Sequence, residues 1–295
     1  MCDEFTPEED AAWLKAKGRM TRREVTLAGG AVAAASLAAC APIASGAAPA
    51  GLIERAVSIP MAGGRTADGF FVRPASGRHP AILLWPDIAG LREAFREASR
   101  RLAAAGYAVL AVNHYYRSAM APVLPEGVTW GSPEGRKLIE PMGKLLTPEA
   151  YAADARDYVA WLDRQAGVDT RRGIGSVGHC MTGSATIRAA AAVPARVRAA
   201  ASFHGGGLVS DKPDSPHLLI PATRAAFLFA IAQNDDEKQP EAKTVLKDTA
   251  AKAGRPAEVE VYPARHGWTT LDSQVYDAVQ AERAWSRTRA LFSGL

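Results

Sequence analysis

A single α/β domain built on a mostly parallel sheet, with helices on both of its faces, is the fold this sequence predicts. Three observations carry that prediction: short runs of almost wholly apolar residues recur, helical segments separate them, and at 178–183 a strand passes into a helix through a glycine-flanked turn. The domain opens near Leu52 with two alternating segments, 55–60 and 69–73, on either side of Gly63-Gly64, the pattern of a hairpin. Apolar runs of strand length follow at 81–85, 108–112, 174–177, 199–203, 226–231 and 259–262. Such runs, without polar alternation, are expected of strands covered on both faces. Helices are expected over 93–105, 148–165, 183–192, 240–253 and 275–291, the second with Thr147 as cap and Pro148 in its first turn. The stretch 113–146 reads as one long irregular loop containing Tyr115, Tyr116 and Trp130, of the kind that covers a site.

Composition narrows the class. The chain has 295 residues, 48% apolar and 22% charged, enough to bury a full core and too apolar for a disordered protein. No run reaches the roughly 18 apolar residues of a membrane span. The net charge of +4 is dispersed, without a block of like charges, so small-molecule chemistry is expected and nucleic acid is not. Three cysteines, Cys2, Cys40 and Cys180, are too few and too scattered for a disulfide framework or a four-ligand zinc site.

Residues 1–40 read as an export signal rather than as fold. The paired Arg22-Arg23 precedes an uncharged run from Leu27 to Ala39, whose 13 residues resemble the core of a twin-arginine signal. Leu37-Ala38-Ala39-Cys40 resembles a bacterial lipobox, in which Cys40 would be lipidated and anchor the protein at the cell envelope. Cleavage among Ser45-Gly46-Ala47-Ala48, or retention of an uncleaved tail in a cytoplasmic protein, are the alternatives. Residues 41–51 then form a spacer rich in Ala, Pro, Gly and Ser, and 52–295 the domain.

Gly173-Ile174-Gly175-Ser176-Val177-Gly178 spells a dinucleotide fingerprint, but the preceding 168–172 is polar and no acid follows at the required distance. The segment fits another frame: a strand, then the turn Gly178-His179-Cys180-Met181-Thr182-Gly183, then a helix. That is a nucleophile elbow carrying cysteine, whose glycines relieve crowding at a strained turn and whose helix N-terminus favours thiolate. A thiolate nucleophile needs a histidine to move the proton and a carboxylate to orient that histidine, in the order nucleophile, acid, base. Among the histidines after Cys180, only His266 lies in a loop directly after a late strand. The preceding strand ends in Asp235 and Asp236; Asp235 is the expected acid, Asp236 the fallback and otherwise a solvated turn residue. His204-Gly205-Gly206-Gly207 imitates an oxyanion loop but follows the elbow, so it reads as a strand-end turn, while His179 is expected to pack sideways.

From about Leu52 onward these residues resemble the dienelactone hydrolase family of α/β hydrolases. The elbow pattern G-x-C-x-G-G is met by Gly178, Cys180 and Gly183 with Thr182 in place of a glycine, the acid loop by 232–235 with Ala232 in place of one, and the histidine loop by His266-Gly267. The resemblance implies a backbone oxyanion hole from Ile88 and Met181. It also aligns Asp87 with a glutamate that contacts the resting thiol, and Arg117 with an arginine that binds substrate carboxylate. Tyr116 and Trp268 join Asp87 and Arg117 as expected substrate contacts. The function it implies is cofactor-free hydrolysis of small carboxylic esters or lactones by Cys180, Asp235 and His266. Two other readings compete: a non-catalytic binding domain on the same fold, and a redox-reactive thiol protein.

Overall fold

The structure, a computed structural model, describes residues 51–295. The signal reading over 1–40, with Cys40, and the 41–51 spacer apart from Gly51 lie outside the described residues.

The opening hairpin joins β1 (Leu52–Met61) to β2 (Arg65–Pro74) in antiparallel register, Met61 opposite Arg65. Gly63 and Gly64, at φ 77° and 74°, supply the two left-handed residues the turn requires. The remaining strands are β3 (Ala81–Trp85), β4 (Ala108–Val112), β5 (Ile174–His179), β6 (Val197–Phe203), β7 (Ala226–Ala232) and β8 (Ala257–Tyr262). They form one sheet in the order β1-β2-β4-β3-β5-β6-β7-β8, antiparallel at β1, β2 and β4 and parallel from β4 to β8. Every residue of β3, β4 and β5 is buried, which is why these strands read as continuous apolar runs.

Helices cover both faces. α1 (Glu93–Ala104) and α7 (Ala278–Phe292) pack Phe95, Leu102, Ala284 and Phe292 with Ile82, Val109 and Val177 on one face. α3 (Pro148–Asp163), α4 (Gly183–Ala192) and α6 (Ala242–Lys252) pack Tyr158, Leu162, Ile187 and Leu246 with Leu83, Leu110 and Phe227 on the other. The Thr147 cap is made, its hydroxyl accepting from Ala150 N at 3.2 Å with Pro148 in the first turn. Two helices went unforeseen. α2 (Pro133–Gly143), capped by Ser132, interrupts the stretch expected to be irregular; only its Gly135 and Ile139 are buried, so no apolar stripe announces it. α5 (Gln233–Lys238) follows β7 directly and buries no residue.

The sheet order places the site. The chain leaves β3 toward β4 on one side and returns to β5 on the other, so the loops after β3 and β5 diverge at a switch point, where an open α/β sheet forms its crevice.

Candidate active site

Cys180 stands one residue past β5 at φ 57°, a left-handed conformation that a non-glycine residue holds only when its surroundings enforce it, at a cost of about 1–3 kcal/mol. The enforcement is visible. The Cys180 N–H donates to His204 Nδ1 at 3.1 Å, and the Cys180 carbonyl accepts from Gly206 N at 3.2 Å, so the turn after β6 grips the Cys180 main chain on both sides. A Cβ at Gly178 would overlap the Thr182 carbonyl oxygen, and one at Gly183 would overlap Ser202 Oγ, which is why the elbow is flanked by glycine.

Thr182, a departure from the resembling pattern, is what ties the elbow to β3. Its hydroxyl accepts the His179 N–H at 3.1 Å and donates to the Trp85 carbonyl at 3.0 Å, with no exposure to solvent. Thr182→Val keeps the shape and orphans both groups, so it is expected to cost about 1–3 kcal/mol in a urea unfolding titration. An unchanged midpoint would show that the tie is idle.

His266 lies in the loop after β8, and its Nδ1 meets Asp235 Oδ2 at 2.6 Å. The neighbouring Asn234 accepts the His266 backbone N–H at 2.8 Å, so adjacent residues of α5 hold both the ring and the main chain of this histidine. Asp236 turns away to Lys243 Nζ at 2.7 Å; it is an ion-paired residue in the first turn of α5 rather than a solvated turn residue.

His204 is the residue sequence reasoning missed. It is not a plain strand-end turn: it sits at φ 38°, 1% exposed, with its ring centroid 4.7 Å from that of His266. Because Nδ1 accepts from Cys180, the proton is on Nε2, which donates to Thr269 Oγ1 at 3.1 Å. Burial, followed by the nearby His266 and His179, holds its pKa well below the ordinary histidine value, so it stays a neutral support. The available signal was His204 heading a run of three glycines at a strand end.

The loop after β3 is stiffened by Asp87, whose Oδ1 accepts from Ala89 N and whose carbonyl accepts from Gly90 N, both at 3.0 Å. Tyr115 donates its hydroxyl to the Ile88 carbonyl at 3.0 Å. Ile88 belongs to this loop, and the Met181 amide lies in the first turn of the helical segment after Cys180, where no intrahelical carbonyl reaches it.

Four expected substrate contacts are engaged elsewhere. Asp87 does not face the thiol as its glutamate counterpart would: Arg92 takes both of its oxygens, at 2.6 and 3.0 Å, and also pairs with Asp272 at 2.8 Å. Arg117 is held by both oxygens of the buried Asp154 at 2.6 and 2.7 Å, and the Tyr116 hydroxyl donates to the same carboxylate at 2.8 Å. Trp268 is wholly buried, stacked on Tyr262 and edge-on to His204, so it packs beneath the histidine pair rather than lining open space. In each case another residue of the protein has claimed the group.

The Asp87–Arg92–Asp272 bridge links the β3 loop to the loop that follows His266. Burial alone would raise the Asp87 carboxyl, but the Arg92 guanidinium outweighs it and holds the carboxyl below its ordinary value. A depressed folded-state pKa means stability that is present above about pH 4 and lost as pH falls through the folded value. Arg92→Met is therefore expected to cost about 2–3 kcal/mol at pH 7, with the gap to wild type closing below about pH 4. Urea midpoints of both proteins across that range check it, and a gap independent of pH overturns it.

The arrangement can activate a thiol, orient an imidazole and present backbone amides to a developing negative charge. Among the described residues no cluster of His, Cys, Asp and Glu is arranged to hold a metal ion, and no helix is long and apolar enough to cross a membrane.

Comparison with known proteins agrees with this fold. The model of the dienelactone hydrolase family matches residues 67–295. A Methylorubrum extorquens protein provisionally named a carboxymethylenebutenolidase is 29% identical over 97% of each chain. One of the same provisional name from Synechocystis is 27% identical over 76% of this chain and 90% of its own. A crystal structure from Klebsiella pneumoniae, provisionally described as a dienelactone hydrolase, superposes with a TM-score of 0.71 at 24% identity, covering 83% of this chain and 99% of that one, which shows the shared fold.

Proposed function

The chain belongs to the dienelactone hydrolase family, and from that premise we propose that it hydrolyses small carboxylic esters or lactones through Cys180, His266 and Asp235. The observation that carries the reading is the 2.6 Å contact between His266 Nδ1 and Asp235 beside a cysteine held at φ 57° on a strand-to-helix turn. His266 Nε2 takes the thiol proton, and the thiolate attacks the carbonyl carbon. The resulting oxyanion is received by the Ile88 and Met181 amides, each such donor being worth about 2.7–4 kcal/mol. Collapse returns the proton from His266 to the leaving alkoxide and leaves a thioester on Cys180. His266 then draws a proton from water, hydroxide attacks the thioester, and the carboxylic acid departs as the thiol is restored. In a lactone the alkoxide stays tethered and the product is a hydroxy acid.

The test is turnover of a dienelactone and of a short-chain aryl ester by the wild-type chain and by Cys180→Ala and His266→Ala. Cysteine- and histidine-dependent hydrolysis of either substrate is expected. Equal turnover by wild type and both variants, or none by any, overturns the reading.

Export is proposed on the same footing, resting on Arg22-Arg23 and the uncharged run that follows. The double substitution Arg22→Lys, Arg23→Lys is expected to retain the protein in the cytoplasm on cell fractionation. An unchanged envelope fraction overturns it.

A further inference from the structure

Between α1 and α7, on the sheet face behind the elbow, lies a cleft of about 110 Å³ that the hydrolytic reaction does not use. Cys180, Asp235 and His266 are absent from its lining. We propose that this cleft is a binding site for a neutral single-ring phenol.

Size comes first. An apolar cavity on the order of 150 Å³ accommodates benzene, whereas pockets for drug-sized ligands run to roughly 300–1,000 Å³. At about 110 Å³ the cleft is smaller than that cavity but open on one side, so it takes one ring at most, with part of the ligand at its mouth. Its walls have matching chemistry: Leu84, Val177 and Phe203 from the sheet, and Trp285 from α7.

Polarity comes second. His179 lines the cleft with its ring and is 6% exposed. Burial holds this imidazole near pKa 4, so at neutral pH it carries no charge with which to attract an anion. Thr269 also lines the cleft; its oxygen accepts from His204 Nε2, leaving its own hydroxyl proton for another acceptor. A phenol oxygen can accept that proton, which benzene cannot.

Charge comes third. Arg101 at the mouth is already compensated, by Glu282 at 2.6 Å and by the Trp285 ring, whose centroid is 4.3 Å from its guanidinium carbon. Glu97 stands beside it on the rim. A carboxylate ligand would meet a neutral interior and a rim whose one cation is taken.

The inference is independent of the ester-hydrolase reading, because the experiment reads binding. The full chain is titrated with phenol, benzene and benzoate by isothermal calorimetry, alongside Ala284→Leu and Ala281→Leu, which would fill the cleft from adjacent turns of α7, and alongside wild type alkylated at Cys180 with iodoacetamide. The expected result is saturable one-to-one binding of phenol, at least tenfold weaker in whichever filled variant retains the wild-type circular dichroism, and unchanged by alkylation. Benzene should bind several-fold more weakly and benzoate not at all. The proposal falls if phenol does not saturate, if benzene binds as well as phenol, if a folded filled variant binds as wild type does, or if alkylation abolishes binding. The last outcome would put the phenol in the catalytic crevice.

Discussion

Cys180→Ala is expected to lower kcat on a dienelactone or an aryl ester by roughly 10⁴- to 10⁶-fold, the range seen when the nucleophile of an acyl-transfer triad is removed. The size of the loss follows from how the site is built. His266 is oriented by Asp235 at 2.6 Å, and His204 is committed to the Cys180 backbone N–H, so no other imidazole or thiol in the crevice is placed to substitute as nucleophile. What remains is transition-state binding by the backbone amides, which the substitution leaves in place. Folding should survive, because the grip on the Cys180 main chain by His204 and Gly206 does not involve the sulfur. Initial rates with matched circular dichroism spectra check both halves. A variant retaining more than about one hundredth of wild-type kcat would exclude covalent catalysis by this residue.

Asp235→Asn is the second large effect expected, about 10⁴-fold in kcat with KM little changed, as when the orienting carboxylate of a triad becomes an amide. Nδ1 of His266 donates to Asp235 when Nε2 is the basic nitrogen; an amide at the same place can present its NH₂ group to Nδ1 and select the opposite tautomer, with the proton on the catalytic nitrogen. The control is one residue away. Asp236→Asn removes only the pairing with Lys243, which is partly exposed, and should change kcat by less than about twofold. If the two substitutions cost the same, the 2.6 Å contact does not orient the base.

Both expectations concern residues whose candidacy was legible from spacing alone. Cys180 announced itself by its flanking glycines, and His266 by its place after the last strand. Asp235 and Asp236 were less separable, since adjacent residues differ only in the direction their side chains leave the backbone. The start of α5 immediately after β7 sets that direction, sending Asp235 to His266 and Asp236 to Lys243. That short helix buries nothing, so it has no apolar periodicity to betray it.

The expected substrate contacts show the opposite limit. Asp87, Tyr116, Arg117 and Trp268 were assigned from residue type and position in a resembling motif, and each is chemically suited to its expected part. Their actual partners are Arg92 for Asp87, Asp154 for Tyr116 and Arg117, and Tyr262 with His204 for Trp268. Asp154 sits 37 residues beyond Arg117 on a helix face, and nothing in the intervening letters indicates that it points inward. A polar side chain's role depends on which groups claim it in three dimensions, and a bidentate ion pair occupies both oxygens of a carboxylate.

By itself the sequence determined the strands, most of the helices, the elbow and the order of its three candidate catalytic residues. These rest on local physics: uninterrupted apolar runs form strands buried on both faces, and glycine permits the turns that other residues resist. Only the tertiary structure decided that His204 holds the Cys180 main chain, that Thr182 ties the elbow to Trp85, that Asp87 belongs to an ion-paired bridge, and that a lined cleft lies behind His179. Each of these is a contact between residues brought together by the sheet order, and hydrogen bonding and close packing act over a few ångströms of space whatever the distance along the chain.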